Sequence, residues 1–81
     1  MRLDQIPSGQ VAVVRQVENR SSEDPVACRL RELGFVPGEA VRVVARGPFG
    51  GDPLAVRVGM TRFALRLSEA SRIILDETIA V

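Results

Sequence analysis

The chain has 81 residues, 46% of them hydrophobic, with 11 basic residues against 10 acidic and a single cysteine. That length fits one domain with a thin core, burying roughly 60–65% of the surface its unfolded form would expose, and a net charge of +1 lacks the broad electropositive surface of sequence-independent nucleic-acid binders. One cysteine excludes an internal disulfide, no apolar run approaches the ~18 residues that cross a bilayer, and no charged n-region followed by an apolar stretch opens the chain.

In chain order, Leu3 and Ile6 precede Pro7-Ser8-Gly9, so Met1 to Ile6 reads as an extended arm or a single helical turn with a packing role. Gln10 to Val17 is rich in valine, with Val11, Val13 and Val17 on one face and Val14 on the other, and is assigned as the first strand. Asp24-Pro25 then supplies an N-cap and a proline at the first helical position. Val26, Leu30 and Leu33 follow on one face, and Gly34 stands where a left-handed cap is wanted, so a helix is predicted from Pro25 to Leu33.

Pro37-Gly38 turns the chain into a second strand, in which Val41, Val43 and Ala45 alternate with Arg42, Val44 and Arg46. Gly47 to Pro53 breaks that strand, with Gly51-Asp52-Pro53 read as a turn. Leu54 to Val58 and Thr61 to Leu67 form the clearest hairpin, joined by Gly59-Met60 in a type II′ turn. Ser68 to Ser71 fits one helical turn, Ile73 to Leu75 a short closing strand, and Asp76 to Val81 a tail. The pattern predicts a mainly β fold, a small barrel of about five strands with one short helix after the first, in a domain spanning residues 1–75.

Catalysis starts without its commonest proton shuttle, because the chain has no histidine. Cys28 falls beside the apolar stripe of the helix and is read as a small, partly buried boundary residue rather than a reactive thiol. One cysteine cannot build a transition-metal site; the carboxylate pairs Glu23-Asp24 and Asp76-Glu77 are better explained as a helix cap and a solvated tail. The Gly50-Gly51 loop lacks the phosphate-cradle pattern and leads into a strand. What remains is a face. Arg57, Arg62 and Arg66 lie outward on the hairpin, Arg42 and Arg46 join them from the preceding strand, and Phe49 at a loop tip is a natural apolar anchor; together they form the candidate surface for acidic groups on a partner.

The elements Arg29-Leu30-x-x-Leu33-Gly34-x-x-Pro37-Gly38, then Gly51-Asp52-Pro53-Leu54, then Ala64-Leu65-Arg66 with Ala70 and Ile73, in that order, resemble the FeoA family from Leu3 to about Leu75. The resemblance implies an SH3-like barrel in the bacterial cytoplasm that assists FeoB, the ferrous iron transporter, a membrane protein with a cytosolic GTPase domain. It also implies transition-metal binding, which without histidine would be weak here, and no cofactor is required. The expected protein is thus a non-enzymatic accessory that contacts the transporter, inserts in no membrane itself and is free to self-associate. The alternative is a regulatory module related to the SH3-like C-terminal domain of iron-dependent repressors. RNA binding is disfavoured by three phenylalanines with no tyrosine or tryptophan.

Overall fold

The computed structural model describes residues 1–76. After a 3₁₀ turn at Leu3–Gln5 come β1 (Val11–Val17), α1 (Pro25–Glu32), β2 (Ala40–Gly47), β3 (Gly51–Val58), β4 (Thr61–Leu65), α2 (Leu67–Ala70) and β5 (Ile73–Leu75). The five strands form one antiparallel sheet in the order β4-β3-β2-β1-β5. Mainly β architecture and the helix after the first strand are as predicted. The tail expected after Leu75 lies, apart from Asp76, outside the described residues.

The N-terminal arm is part of the core. Leu3 and Ile6 are fully buried, Arg2 bridges Ile74 of β5, and the Leu75 N–H donates to the Met1 carbonyl at 2.8 Å. Around them pack Val14 of β1, Val41 and Val43 of β2, Leu54 and Val56 of β3, and Ile73 and Leu75 of β5.

The start of α1 follows from Asp24, whose carboxylate accepts from the N–H groups of Val26 at 3.1 Å and Ala27 at 3.3 Å, satisfying donors that the first turn leaves open. Its end is a Schellman arrangement. Gly34 adopts φ +114°, its N–H donates to Arg31 O at 3.1 Å, and the Phe35 N–H donates to Leu30 O at 3.1 Å. That turn drives Phe35 into the core, fully buried, with its ring centroid 5.8 Å from that of Phe63.

Several sequence expectations are corrected by irregularities in strand pairing. In β1 the inward residues are Ala12, Val14 and Val17, while Val11 is exposed; Val11 and Val13 lie on the face opposite Val14 as predicted, but Val17 does not join them, because the β1–β5 register shifts between Val14 and Gln16 and returns it to the inside. In β2 the register shifts between Val43 and Ala45, so Ala45 turns outward instead of following Val41 and Val43. The Gly47 to Pro53 break is shorter than predicted: the turn proper is Pro48 to Gly50, and Gly51-Asp52-Pro53 opens β3. Gly47 cannot be replaced there without disturbance, since a Cβ would run into the backbone carbonyl of Asp52.

The hairpin's second arm ends two residues early, at Leu65. Arg66 begins the α2 turn, its N–H donating to Glu69 Oε1 at 2.8 Å, while the Leu67 N–H donates to Asp52 Oδ1 at 3.2 Å. The helix α1 ends at Glu32, with Leu33 as its C-cap. Its buried residues are Ala27 and Leu30, which leaves Cys28 exposed rather than partly covered, with Sγ 3.8 Å from Glu32 Oε2.

Candidate partner-docking face

Strand register assembles the candidate site. Arg42 of β2 lies opposite Arg57 of β3, and Arg57 lies opposite Arg62 of β4, so three arginines form one row across the outer face of three adjacent strands. Val11 of β1, itself exposed, extends the same row beyond Arg42. Neighbouring strands are about 4.8 Å apart, so the bases of these side chains are closely spaced. The next row outward consists of alanines, Ala45, Ala55 and Ala64, again in register, which leaves a low shelf beside the cations.

No anion within the described residues neutralises the row. The ion pairs among them are Arg2–Glu18 and Arg72–Asp24, both elsewhere. Arg42 Nε donates to the Gly9 carbonyl at 3.3 Å, while Arg57 and Arg62 make no side-chain hydrogen bond among the described residues. Glu39 borders a shallow open concavity with Val11, Arg42 and Arg57 but forms no ion pair with them. Like charges directly opposite one another on a sheet are destabilising, so the row carries a folding cost that a merely solvated face does not require.

The other predicted residues separate into two groups. Phe49, 80% exposed, sits at the β2–β3 tip and shares an open concavity with Asp52, Pro53 and Arg66. Pro53 lies four residues from Arg57 along β3, about 13 Å at the usual strand rise, so the Phe49–Arg66 end is distinct from the arginine row. Arg46 belongs to neither. The register shift in β2 rotates it away from Arg42, and its Nη2 donates to the carbonyls of Asp4 at 2.8 Å and Ile6 at 2.7 Å, clamping the N-terminal arm. Two exposed apolar residues lie outside the predicted set: Val11 at the β1 end of the row and Met60, 91% exposed, in the β3–β4 turn beyond the Val58–Thr61 pair. Val11 could be found only by knowing the β1–β2 register; Met60 is signalled by its place in a two-residue turn.

The strongly perturbed titratable groups lie away from this face. The Arg72 guanidinium, 2.8 Å from Asp24, together with the N–H groups of Arg20 and Ala27, holds the Asp24 carboxyl well below the usual carboxylate range against the opposing effect of burial. The Arg2 guanidinium lowers Glu18 in the same way. The first pair ties the loop before α1 to the residue leading into β5, and the second ties the N-terminal arm to the residue following β1.

A narrow crevice between α1 and β4, with Val26, Leu30, Leu33 and Phe63 at its walls and the charged side chains of Arg29 and Glu69 beside them, encloses about 50 Å³, far short of the roughly 300–1,000 Å³ of small-molecule sites. For a metal, no group of three Cys, Asp or Glu side chains comes together among the described residues. Cys28 and Glu32 supply two donors, and Asp24 is engaged by Arg72 and the helix cap. The donor set of the described residues therefore does not fit a resident transition metal bound by one chain. No helix among the described residues is long and apolar enough to cross a membrane.

No curated protein matches the chain. Among solved structures, a FeoA protein from Stenotrophomonas maltophilia superposes with a TM-score of 0.88 at 56% identity, over 94% of this chain and 89% of that one. It is described as a prokaryotic SH3 domain protein complexed with zinc, and put forward as a bacterial ferrous iron transport activating factor. A FeoA protein from Chlorobium tepidum matches at 32% identity and TM-score 0.78, over 93% of this chain and 68% of that one. A manganese-dependent transcriptional repressor shares the fold alone, at 18% identity and TM-score 0.79, over 94% of this chain and 35% of that one. A family model described as FeoA domain matches residues 1–77, and with the five-stranded antiparallel sheet and the eight-residue helix after its first strand this means that the chain belongs to the FeoA family of SH3-like proteins.

Proposed function

We propose that this protein is a non-enzymatic accessory factor of ferrous iron uptake, working in the cytoplasm by docking onto the cytosolic GTPase part of a FeoB-type transporter. The observation that carries the docking mode is the row Arg42, Arg57 and Arg62, in register and without an anionic partner among the described residues. Contact with carboxylates on a partner offsets such a folding cost, and there the charge speeds encounter and fixes register. The Phe49–Arg66 end adds an apolar anchor beside a cation, the composition that dominates interface hot spots. Family membership, and the role put forward for the Stenotrophomonas maltophilia relative, support the iron-transport setting.

The role is tested by deleting the gene and measuring ferrous iron uptake under iron limitation, with the wild-type gene restored as control. A loss of uptake that the restored gene repairs is expected; unchanged uptake in the deletion contradicts the role. The fold shared with a metal-dependent repressor motivates a second reading, a free-standing module that contacts a repressor. Co-purification with a repressor and none with the transporter is the result that favours it.

A further inference from the structure

Resting on the docking role of the arginine row, we infer that the partner element seated there is an acidic α-helix lying across β2, β3 and β4, with carboxylates one helical turn apart. The argument is one of spacing. Arg42, Arg57 and Arg62 follow one another at the interstrand distance, about 4.8 Å per step. Side chains at i, i+4 and i+7 on a helix repeat about every 5.4 Å, so over two steps the mismatch is roughly 1 Å, well within the reach of an arginine side chain. An extended segment repeats on one side about every 6.7 Å and accumulates a mismatch of roughly 4 Å over the same two steps.

The surroundings suit a rod laid along the row. Ala45, Ala55 and Ala64 form a parallel low shelf, giving a helix of about 10 Å diameter room to approach without side-chain collision. Val11 closes the row at the β1 end, so a helix with an apolar residue beyond that end of its acidic stripe meets apolar surface there. The planar guanidinium fork favours a bidentate grip on a carboxylate, which rewards correct spacing.

The test uses three synthetic peptides of equal length and charge, with affinity for the full chain read by fluorescence anisotropy at low salt. One is an alanine-based helix with glutamates at i, i+4 and i+7, the second carries the same glutamates dispersed round the helix, and the third alternates glutamate in an extended, proline-interrupted sequence. The aligned helix is expected to bind about tenfold tighter than either of the others, with the advantage lost in Arg57→Gln/Arg62→Gln and kept in Arg29→Gln, a change of exposed charge on α1. Equal binding of the three peptides, or preference for the extended one, overturns the helix inference. If the arginine variant also leaves transporter binding intact, the docking role of the row falls with it; if that variant loses the transporter, the role stands and only the helix is wrong. Preferential binding to vesicles rich in phosphatidylglycerol, with no discrimination among peptides, likewise overturns the inference in favour of a lipid surface.

Discussion

Arg57 stands directly opposite Arg62 in the β3–β4 ladder, and neither side chain has a hydrogen-bond or ion-pair partner among the described residues. Two like charges opposite one another on a sheet work against the fold. Replacing Arg57 by threonine, which suits an outward strand position, is expected to stabilise the domain by about 0.2–1 kcal/mol through loss of the cross-strand repulsion. Chemical denaturation at low and physiological salt measures it. The gain is expected to shrink with salt, because added ions already screen the exposed pair, and partner affinity is expected to fall in the same variant.

Arg46 separates from the other arginines on the same measurements. Because its guanidinium holds the Asp4 and Ile6 carbonyls, Arg46→Ala is expected to destabilise by about 1 kcal/mol and to raise amide exchange in the arm and the facing part of β5. Partner affinity is expected to stay unchanged.

Acid sensitivity follows from Asp24. Its carboxyl lies far below the ordinary aspartate value in the folded protein, so the unfolded chain binds the proton first as pH falls. The stabilisation from the ionised carboxylate is full above about pH 4, where the unfolded group titrates, erodes below that, and is gone once the pH passes the folded value. Glu18 acts with the same sign. Asp24→Asn is expected to lower Tm at pH 7, by weakening the helix cap and stranding Arg72, and to flatten the fall in Tm between pH 5 and pH 2; scanning calorimetry across that range checks both.

One core position and one strand-end position carry larger effects. Phe35→Ala, at a fully buried site against Phe63, is expected to cost about 3–5 kcal/mol, a large part of the stability of so small a domain. Gly47→Ala, whose Cβ would meet the Asp52 backbone, is expected to cost roughly 1–3 kcal/mol by forcing the β2–β3 turn apart. At Gly50, where a Cβ would have open space, alanine carries only the strain of its left-handed backbone, about 1 kcal/mol. Urea titrations rank the three.

Much of this architecture was legible in the residues. Asp24-Pro25 and Gly34 mark the ends of α1 because capping is local chemistry, and Gly59-Met60 marks the β3–β4 hairpin because Gly59 alone supplies the positive φ that the turn needs, +59°. What escaped depends on register. Simple alternation puts Arg46 with Arg42, but the shift between Val43 and Ala45 rotates it to the arm; the shift after Val14 likewise moves Val17 to the face of Val14. Outward arginines could be recognised one strand at a time, whereas their alignment into a single row, with Val11 at its end, exists only once three pairings are fixed. Cys28 was misplaced because its neighbour Ala27, too small to stand out in an apolar stripe, takes the inward position.

The most direct test of the docking face is the affinity of the purified protein for the cytosolic domain of its own organism's ferrous iron transporter, with and without guanine nucleotide, measured for the wild type and for Arg57→Glu/Arg62→Glu. Reversal of two charges in the row is expected to weaken binding by at least about tenfold at physiological salt, with the fold intact by circular dichroism. Equal affinity of the wild type and this variant would contradict the account, leaving the arginine row a feature of the surface rather than the place where the transporter is met.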